Sequence, residues 1–369
     1  MQFSLPKALL IGPLQLVCGV ADKRGSSPIM SHLLVSVSEG QLVLTGTDSE
    51  IELVVNINLT GEHTPGETTV PAKKLLDLVK SFRDEEELRL VFDNDKVQIL
   101  AGKSKFSLVT QPAADFPSID DMDTHLSLKV EQSKFRHLIS YTQFAMAQQD
   151  VRYYLNGMLM TVEGETARLV ATDGHRLALC EVECVSDINN SEKVAVIIPR
   201  KAIIEVSRLF VSEEETCSVF VDNNHIRFQT EHFCFTSKLV DGRFPDYDRV
   251  IPKNSTYCLA MDKVEFKDAL IRASVLCNEK FKGVRLLFEP GQLTVLANNP
   301  EQEEAQIELP INFDGDAIEI GFNVTYLLDV LNAINSEQVR LSFTDANTST
   351  LMEEVDGSSA KYVVMPMRL

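Results

Sequence analysis

Val170-Ala171-Thr172-Asp173 ends an apolar run, and it is the second of three such endings in the chain. Thr45-Gly46-Thr47-Asp48 stands in the first third and Val295-Leu296-Ala297-Asn298-Asn299 in the last. Working outward, Val70-Pro71-Ala72-Lys73-Lys74 opens one helical stretch and Ile198-Pro199-Arg200-Lys201 another. Asp115-Phe116-Pro117 and Arg243-Phe244-Pro245 close the first two segments. The offsets are 173 − 48 = 125, 199 − 71 = 128 and 244 − 116 = 128. Solenoid repeats run at roughly 20–50 residues, so this period predicts three tandem domains of one fold. The length of 369 residues agrees, at about 150 residues per domain. The boundaries are placed at 1–125, 126–253 and 254–369.

Each third repeats one order. An amphipathic helix comes first (residues 9–21, 134–147 and 263–277). In the second copy Phe135, Leu138, Ile139, Thr142 and Met146 fall at helical spacing. Three strands follow, at 33–37, 41–45 and 51–57 in the first copy, 158–162, 167–172 and 177–182 in the second, and 284–288, 292–297 and 305–309 in the third. Glu39-Gly40, Gly164-Glu165 and Pro290-Gly291 supply the turns. A second helix covers 72–82, 200–210 and 324–334, with Pro71 and Pro199 at two of the starts and Asn323 able to cap the third. Three more strands end each unit, so the fold class is α+β with two helices and two antiparallel sheets per copy.

The net charge of −19 argues against a surface that simply adheres to nucleic acid. Seven cysteines without metal spacing read as reduced thiols of a cytoplasmic protein, and no metal or cofactor is expected. Residues 14–19 faintly resemble a lipoprotein cleavage box, but Pro6, Gly12, Pro13 and Gln15 interrupt the run, which is read as a packed helix. No stretch nears about 18 unbroken apolar residues, so no membrane partner is expected. Asp173, His175 and Ser237 could be arranged as a hydrolase, yet no Gly-x-Ser-x-Gly elbow accompanies them, and Asp48 and Asn299 repeat Asp173 without a histidine. There is no phosphate loop or dinucleotide fingerprint, so the chain is read as no enzyme. An acidic adaptor that binds only proteins is the other alternative.

Longer motifs narrow the choice. They are Pro112-Ala113-Ala114-Asp115-Phe116-Pro117, Gln149-Asp150-Val151-Arg152-Tyr153-Tyr154-Leu155-Asn156-Gly157, Ala171-Thr172-Asp173-Gly174-His175-Arg176-Leu177 and the run Thr236 to Tyr247. Asn278-Glu279-Lys280-Phe281, Asn298-Asn299-Pro300-Glu301-Gln302-Glu303-Glu304-Ala305 and the ending Tyr362-Val363-Val364-Met365-Pro366-Met367-Arg368-Leu369 complete them. Across its whole length the chain resembles the bacterial β sliding clamps, the processivity subunits of DNA polymerase III. The resemblance implies clamp-type domains forming half of a ring, a head-to-tail homodimer, and duplex DNA passing through the hole. It further implies the replicative polymerase catalytic subunit, the clamp loader and other clamp-binding-motif proteins as partners.

The same resemblance assigns residues. Arg24, Gln149, Arg152, Tyr153 and Tyr154 would meet DNA at the ring face, and Lys73, Lys74 and Lys201 from the helices. Arginine binds phosphate and tyrosine stacks on unpaired bases; the tyrosines could equally pack at a loop base, and each lysine could be part of a solvated helix face. A weak phosphate field would permit sliding. Closure would set Lys96, Lys103, Lys105, Phe106 and Leu108 of one copy against Val275, Leu276, Glu301, Glu303 and Glu304 of another. A partner peptide would enter an apolar cleft formed by Leu155, Thr172, Gly174, His175, Arg176, Leu177, Pro245, Arg249, Val250, Asn323, Tyr326, Ser349, Val363, Val364, Met365, Pro366, Met367 and Arg368. Leu, Val and Met suit varied Leu or Phe anchors, although alternate residues of 363–365 also read as a closing core strand. Asn347 departs from the family, which commonly has a small apolar residue there.

Overall fold

The computed structural model describes residues 1–21, 27–93, 95–119, 122–187, 193–355, 357 and 359–368. The first copy runs β1 (Gln2–Pro6), α1 (Lys7–Val20), β2 (His32–Ser38), β3 (Gln41–Thr47), β4 (Ile51–Asn58), β5 (Gly66–Pro71), α2 (Ala72–Lys80), β6 (Glu87–Asp93), β7 (Lys96–Ala101) and β8 (Ser104–Val109). The second runs β9 (Leu126–Glu131), α3 (Gln132–Thr142), β10 (Gly157–Glu163), β11 (Thr166–Thr172), β12 (Arg176–Glu183), β13 (Val185–Ser186), β14 (Lys193–Pro199), α4 (Arg200–Leu209), β15 (Thr216–Val221), β16 (His225–Gln229) and β17 (Phe233–Lys238). The third runs β18 (Tyr257–Asp262), α5 (Lys263–Ser274), β19 (Gly283–Glu289), β20 (Gln292–Asn298), β21 (Glu304–Pro310), β22 (Ile318–Asn323), α6 (Val324–Ala333), β23 (Gln338–Phe343), β24 (Thr350–Glu354) and β25 (Ala360–Val364).

Each expected group of three strands is a group of four. The strand leading into the first helix joins the later group: β1 pairs with β6, β9 with β15 and β18 with β23. The strand leading into the second helix joins the earlier group: β5 pairs with β2, β14 with β10 and β22 with β19. These lead-in strands enter their helices without an intervening turn, and Asn323, the last residue of β22, is also the cap of α6. The outer half of β5, Gly66-Glu67-Thr68, is polar and carries no apolar alternation. Pro71 and Pro199 are the last strand residues, opposite His32 and Gly157, and stand one position ahead of the helix start.

Contacts divide the chain into two compact units. One holds residues 1–133, 185–187 and 204–239 as far as they are described. It contains the sheet β1-β6-β7-β8 and the nine-stranded sheet β13-β9-β15-β16-β17-β4-β3-β2-β5. In α1, Leu10, Leu14 and Val17 repeat at helical spacing and are buried, and the helix passes through Pro13. Lys7 opens it with Nζ donating to the Phe82 carbonyl at 2.6 Å and paired with Asp84 at 2.8 Å.

The other unit holds the described residues of 134–184, 193–203 and 240–368. It contains the eight-stranded sheet β14-β10-β11-β12-β25-β24-β23-β18 and the sheet β21-β20-β19-β22. Phe135, Leu138, Ile139 and Thr142 of α3 are fully buried, as the helical spacing predicts. Lys263 repeats the Lys7 tie, donating to the Ile334 carbonyl at 2.9 Å. Asn323 caps α6 by accepting from the Thr325 amide at 2.9 Å. Among the described residues no helix is long and apolar enough to cross a membrane.

Two pairings cross from one copy of the fold to the next. β4 of the first copy pairs with β17 of the second, Leu53 opposite Phe235. β12 of the second pairs with β25 of the third, Ala178 opposite Tyr362. The register is the same in both. Leu53 and Ala178 each stand across the preceding hairpin from Gly46 and Ala171, while Phe235 and Tyr362 stand opposite Phe228 and Met352. β8 and β21, the remaining strands of these two kinds, have no such neighbour among the described residues.

Candidate partner-binding cavity and strand edges

The turn from Thr172 to Arg176 is built by its own side chains. Asp173 Oδ1 accepts from the amides of His175 (2.9 Å) and Arg176 (3.0 Å), and Thr172 Oγ1 donates to the Arg176 carbonyl (2.6 Å). Asp48 and Thr47 make the same bonds around Ile51. In the second copy the turn presents β12 to β25, and Leu177 faces Val363. Leu159, Val170, Leu177, Leu179, Ile197, Tyr247, Leu351 and Val363 pack there as an apolar cluster. Over it lies a cavity of about 190 Å3 lined by Arg152, Tyr154, Leu155, Thr172, Gly174, Arg176, Leu177, Pro245, Tyr247, Val250, Val363 and Met365.

Nine of the residues expected in the cleft are thus together: Leu155, Thr172, Gly174, Arg176, Leu177, Pro245, Val250, Val363 and Met365. His175 stacks on Tyr326 with ring centroids 6.4 Å apart, outside that lining. Met367 and Arg368 line a different cavity of about 420 Å3, with Asn278, Phe281 and Arg285. Val364 is fully buried opposite Thr350, in the core-strand role left open for it. Arg249 is exposed and paired with Asp246 at 2.7 Å. Ser349 and Pro366 are half-buried and outside the lining, and Asn323 is taken up in capping α6. Asn347 is exposed in a turn, its amide donating to Asp345, and does not reach the cavity lining.

Sequence reasoning missed Tyr247 and grouped Arg152 and Tyr154 with DNA. Arg152 is bracketed by Asp150 through Nε (3.0 Å) and Nη2 (2.8 Å), and Nη2 also donates to the Asp173 carbonyl (3.1 Å). The guanidinium holds the Asp150 carboxyl down at about 2. It lies over Gly174, whose φ is +88° and where a β-carbon would stand 2.9 Å from Arg152 Nη1. Tyr247 receives a bond at its hydroxyl from Arg168 Nη1 at 3.1 Å. The run Phe244-Pro245-Asp246-Tyr247 carries the available signal.

Arg176 has the most partners. Its Nε binds Asp173 Oδ2 (3.1 Å), its Nη2 donates to the Phe144 carbonyl (2.7 Å), and its Nη1 binds Asp329 on α6. Its planar group lies 5.4 Å from the Phe144 ring centre and 4.6 Å from that of Tyr326. Burial pushes the Tyr326 hydroxyl up.

Family models described as the N-terminal, central and C-terminal domains of the DNA polymerase III beta subunit match residues 1–120, 129–246 and 248–368. The chain belongs to the DNA polymerase III beta subunit family. The beta sliding clamp of Pseudomonas putida is 48% identical over 369 residues, all of both chains. The crystal structure of the DNA polymerase III subunit beta from Pseudomonas aeruginosa superposes with a TM-score of 0.97 at 47% identity over the whole of both chains. A second structure of that clamp, bound to griselimycin, gives the same figures. This family is one of DNA sliding clamps, non-enzymatic processivity factors of replication, and the chain is a clamp of three domains in the α+β class.

The hydrolase alternative fails on local chemistry as well. Asp173 is spent on its turn and on Arg176, and Ser237 is fully buried with its hydroxyl donating to the Lys238 carbonyl at 2.8 Å. Burial pushes the thiols of Cys180 and Cys184 up to about 11, which keeps them protonated and unreactive. Among the described residues no group of three or more His, Cys, Asp or Glu could hold a metal.

The other expected residues lie on a loop, on two helices and at strand edges. Gln149, Tyr153 and Arg152 share one loop; Gln149 has φ +56°, and Tyr153 is exposed and meets Tyr154 edge-on at 5.9 Å. Lys73 and Lys74 are exposed on α2, where Lys73 lines a cavity of about 600 Å3 with Gln15, Cys18 and Lys80, and Lys201 is exposed on α4. Arg24 lies outside the described residues. Lys103, Lys105, Phe106 and Leu108 lie on or beside the edge strand β8, with Lys96 on the neighbouring β7. Phe106 packs edge-on against Phe82 at 5.7 Å. Glu301, Glu303 and Glu304 lead into the edge strand β21, while Val275 is exposed and Leu276 half-buried just past α5.

Proposed function

We propose that two copies of this clamp close head to tail, β8 of one against β21 of the other, into a ring that encircles duplex DNA and tethers the replicative polymerase. The observation that carries this reading is the repeated register between copies of the fold. β4 meets β17 and β12 meets β25 at equivalent positions. Phe106 stands opposite Ile99, as Phe235 and Tyr362 stand opposite Phe228 and Met352. Ala305 stands opposite Ala297, as Leu53 and Ala178 stand opposite Gly46 and Ala171. The same rule therefore sets Phe106 of one copy opposite Ala305 of the other, with Lys105 opposite Gln306 and Ser107 opposite Glu304. Such pairing covers two strand edges that would otherwise invite wrong partners. The opposed Lys and Glu groups contribute about 0–1 kcal/mol each at the rim, and Phe106, Leu108, Val275 and Leu276 contribute more through apolar burial.

The apolar cavity is the partner site. Its volume suits one or two anchoring side chains of a clamp-binding peptide rather than a large ligand. The polymerase catalytic subunit, the clamp loader and other proteins with such a motif compete for it. The loop holding Gln149, Arg152, Tyr153 and Tyr154, the basic residue Arg24, and the helix residues Lys73, Lys74 and Lys201 touch DNA weakly and without sequence preference. The ring works in the cytoplasm and uses no cofactor.

Retention on DNA tests the whole reading. Protein placed on a nicked circle should stay bound through gel filtration and be lost when the circle is cut. Equal retention on circular and linear DNA would refute encirclement, and an adaptor that binds only proteins would be retained on neither.

A further inference from the structure

We propose that Asp329 is the positioning residue of the partner cavity. From α6 it holds the Arg176 guanidinium against two aromatic rings and so fixes the polar wall of that cavity. The inference rests on reading the cavity as a peptide site. Asp329 is absent from the cavity lining, so it acts through Arg176.

Arg176 begins β12 and is 12% exposed. A guanidinium is a rigid fork whose direction is set by its acceptors. Two of the three acceptors, Asp173 Oδ2 and the Phe144 carbonyl, come from the middle domain, and the third is Asp329 of the last domain. The rings in contact with it divide the same way, Phe144 from the middle domain and Tyr326 of α6 from the last. Asp329 lies three residues after Tyr326, which is one turn of α6, so the carboxylate and the ring present one helix face to Arg176. The backbone of Arg176 continues directly into Leu177, which lines the cavity, and the His175 carbonyl accepts from the Met365 amide at 2.9 Å. Removing the carboxylate frees one arm of the fork. The guanidinium then samples orientations that intrude on, or withdraw from, the cavity.

The test uses the full-length protein and a fluorescent hexapeptide carrying a Leu-Phe anchor. Asp329→Ala should weaken peptide binding about tenfold, the loss of one charge-assisted hydrogen bond, and Asp329→Glu should restore part of it. In an Arg176→Ala background the same change should add nothing. Additive losses, or an Asp329→Ala protein that binds like the wild type, would overturn the proposal. The Arg176 Nη1–H signal, from the nitrogen that Asp329 holds, in nitrogen-15 NMR of the peptide-free protein supplies a second reading. It should exchange slowly in the wild type and quickly in Asp329→Ala, and unchanged exchange also overturns the proposal. Failure of the wild-type protein to bind any such peptide, with the exchange difference intact, would instead discard the cavity as a peptide site and leave the positioning role standing.

Discussion

A β-carbon on Gly174 would press on Arg152, and the backbone there already has the left-handed φ of +88° that L side chains rarely adopt. Gly40 has a similar φ of +78° with open space around it. Both Gly→Ala changes should cost about 1–3 kcal/mol of backbone strain, measured by calorimetry. Only Gly174→Ala should also displace Arg152 and alter peptide affinity, and equal affinities for the two variants would mean that the Arg152 position does not matter to the site. His32 offers a pH probe. Burial, with Lys74 adding to it, holds its pKa below 6.5, and Nδ1 meets Thr69 Oγ1 at 2.9 Å. Burial lowers His137 too, against an opposing Glu354. The unfolded chain therefore binds more protons below pH 6.5, so stability is full above that value and falls as pH drops through the window towards the lowered folded values. The melting temperature should decline from pH 6.5 to 5.5, and His32→Gln should flatten that slope; an unchanged slope would remove His32 as a cause. At this scale the sequence was legible where a side chain bonds to its own turn, as Asp173 does, because the signal is local. Tyr247 and Asp329 act through partners distant in the chain, Arg168 and Arg176, and no spacing announces them.

The helices and the hairpin strands were legible because their apolar periods are strong: the buried face of α3 follows directly from its spacing. The lead-in strands β1, β5 and their counterparts were not, since each is a short partner strand whose reason to exist is the neighbour it pairs with. Register makes the sharpest test for elements. Lys105→Cys together with Gln306→Cys should form an intermolecular disulfide on mild oxidation, because directly opposed strand residues have Cα atoms about 4.5–5.5 Å apart, within disulfide range. Lys105→Cys with Ala305→Cys, one position out of register, should cross-link less. A reversed preference would shift the pairing and with it the equivalence of the three junctions. The Lys7 and Lys263 ties make a further element-scale point. Each fastens the first residue of one helix to the chain just beyond the next helix, at Phe82 and Ile334. Lys263→Met should keep the packed stem and lose the bond, lowering stability by about 1 kcal/mol.

For the whole molecule, the native mass should be twice the 41.2 kDa of one chain. Val275→Asp with Leu276→Asp should give monomers in sedimentation, and a dimer that survives at low concentration would refute the apolar part of the closure. The threefold repeat in the sequence foretold the domain number, but not that sheets run on from one copy into the next, because strand pairing across copies leaves no local mark. The two strands without such neighbours among the described residues have a consequence for handling and storage. An uncovered sheet edge is a template for aggregation, yet like edges here carry like charge: Lys103 and Lys105 at β8, Glu303, Glu304 and Glu308 at β21. Dilute chains should therefore remain dispersed, since β8 repels β8 and β21 repels β21. In about 1 M salt, where screening shortens to roughly 3 Å, that protection fades, and turbidity on standing should rise first for the monomeric variant.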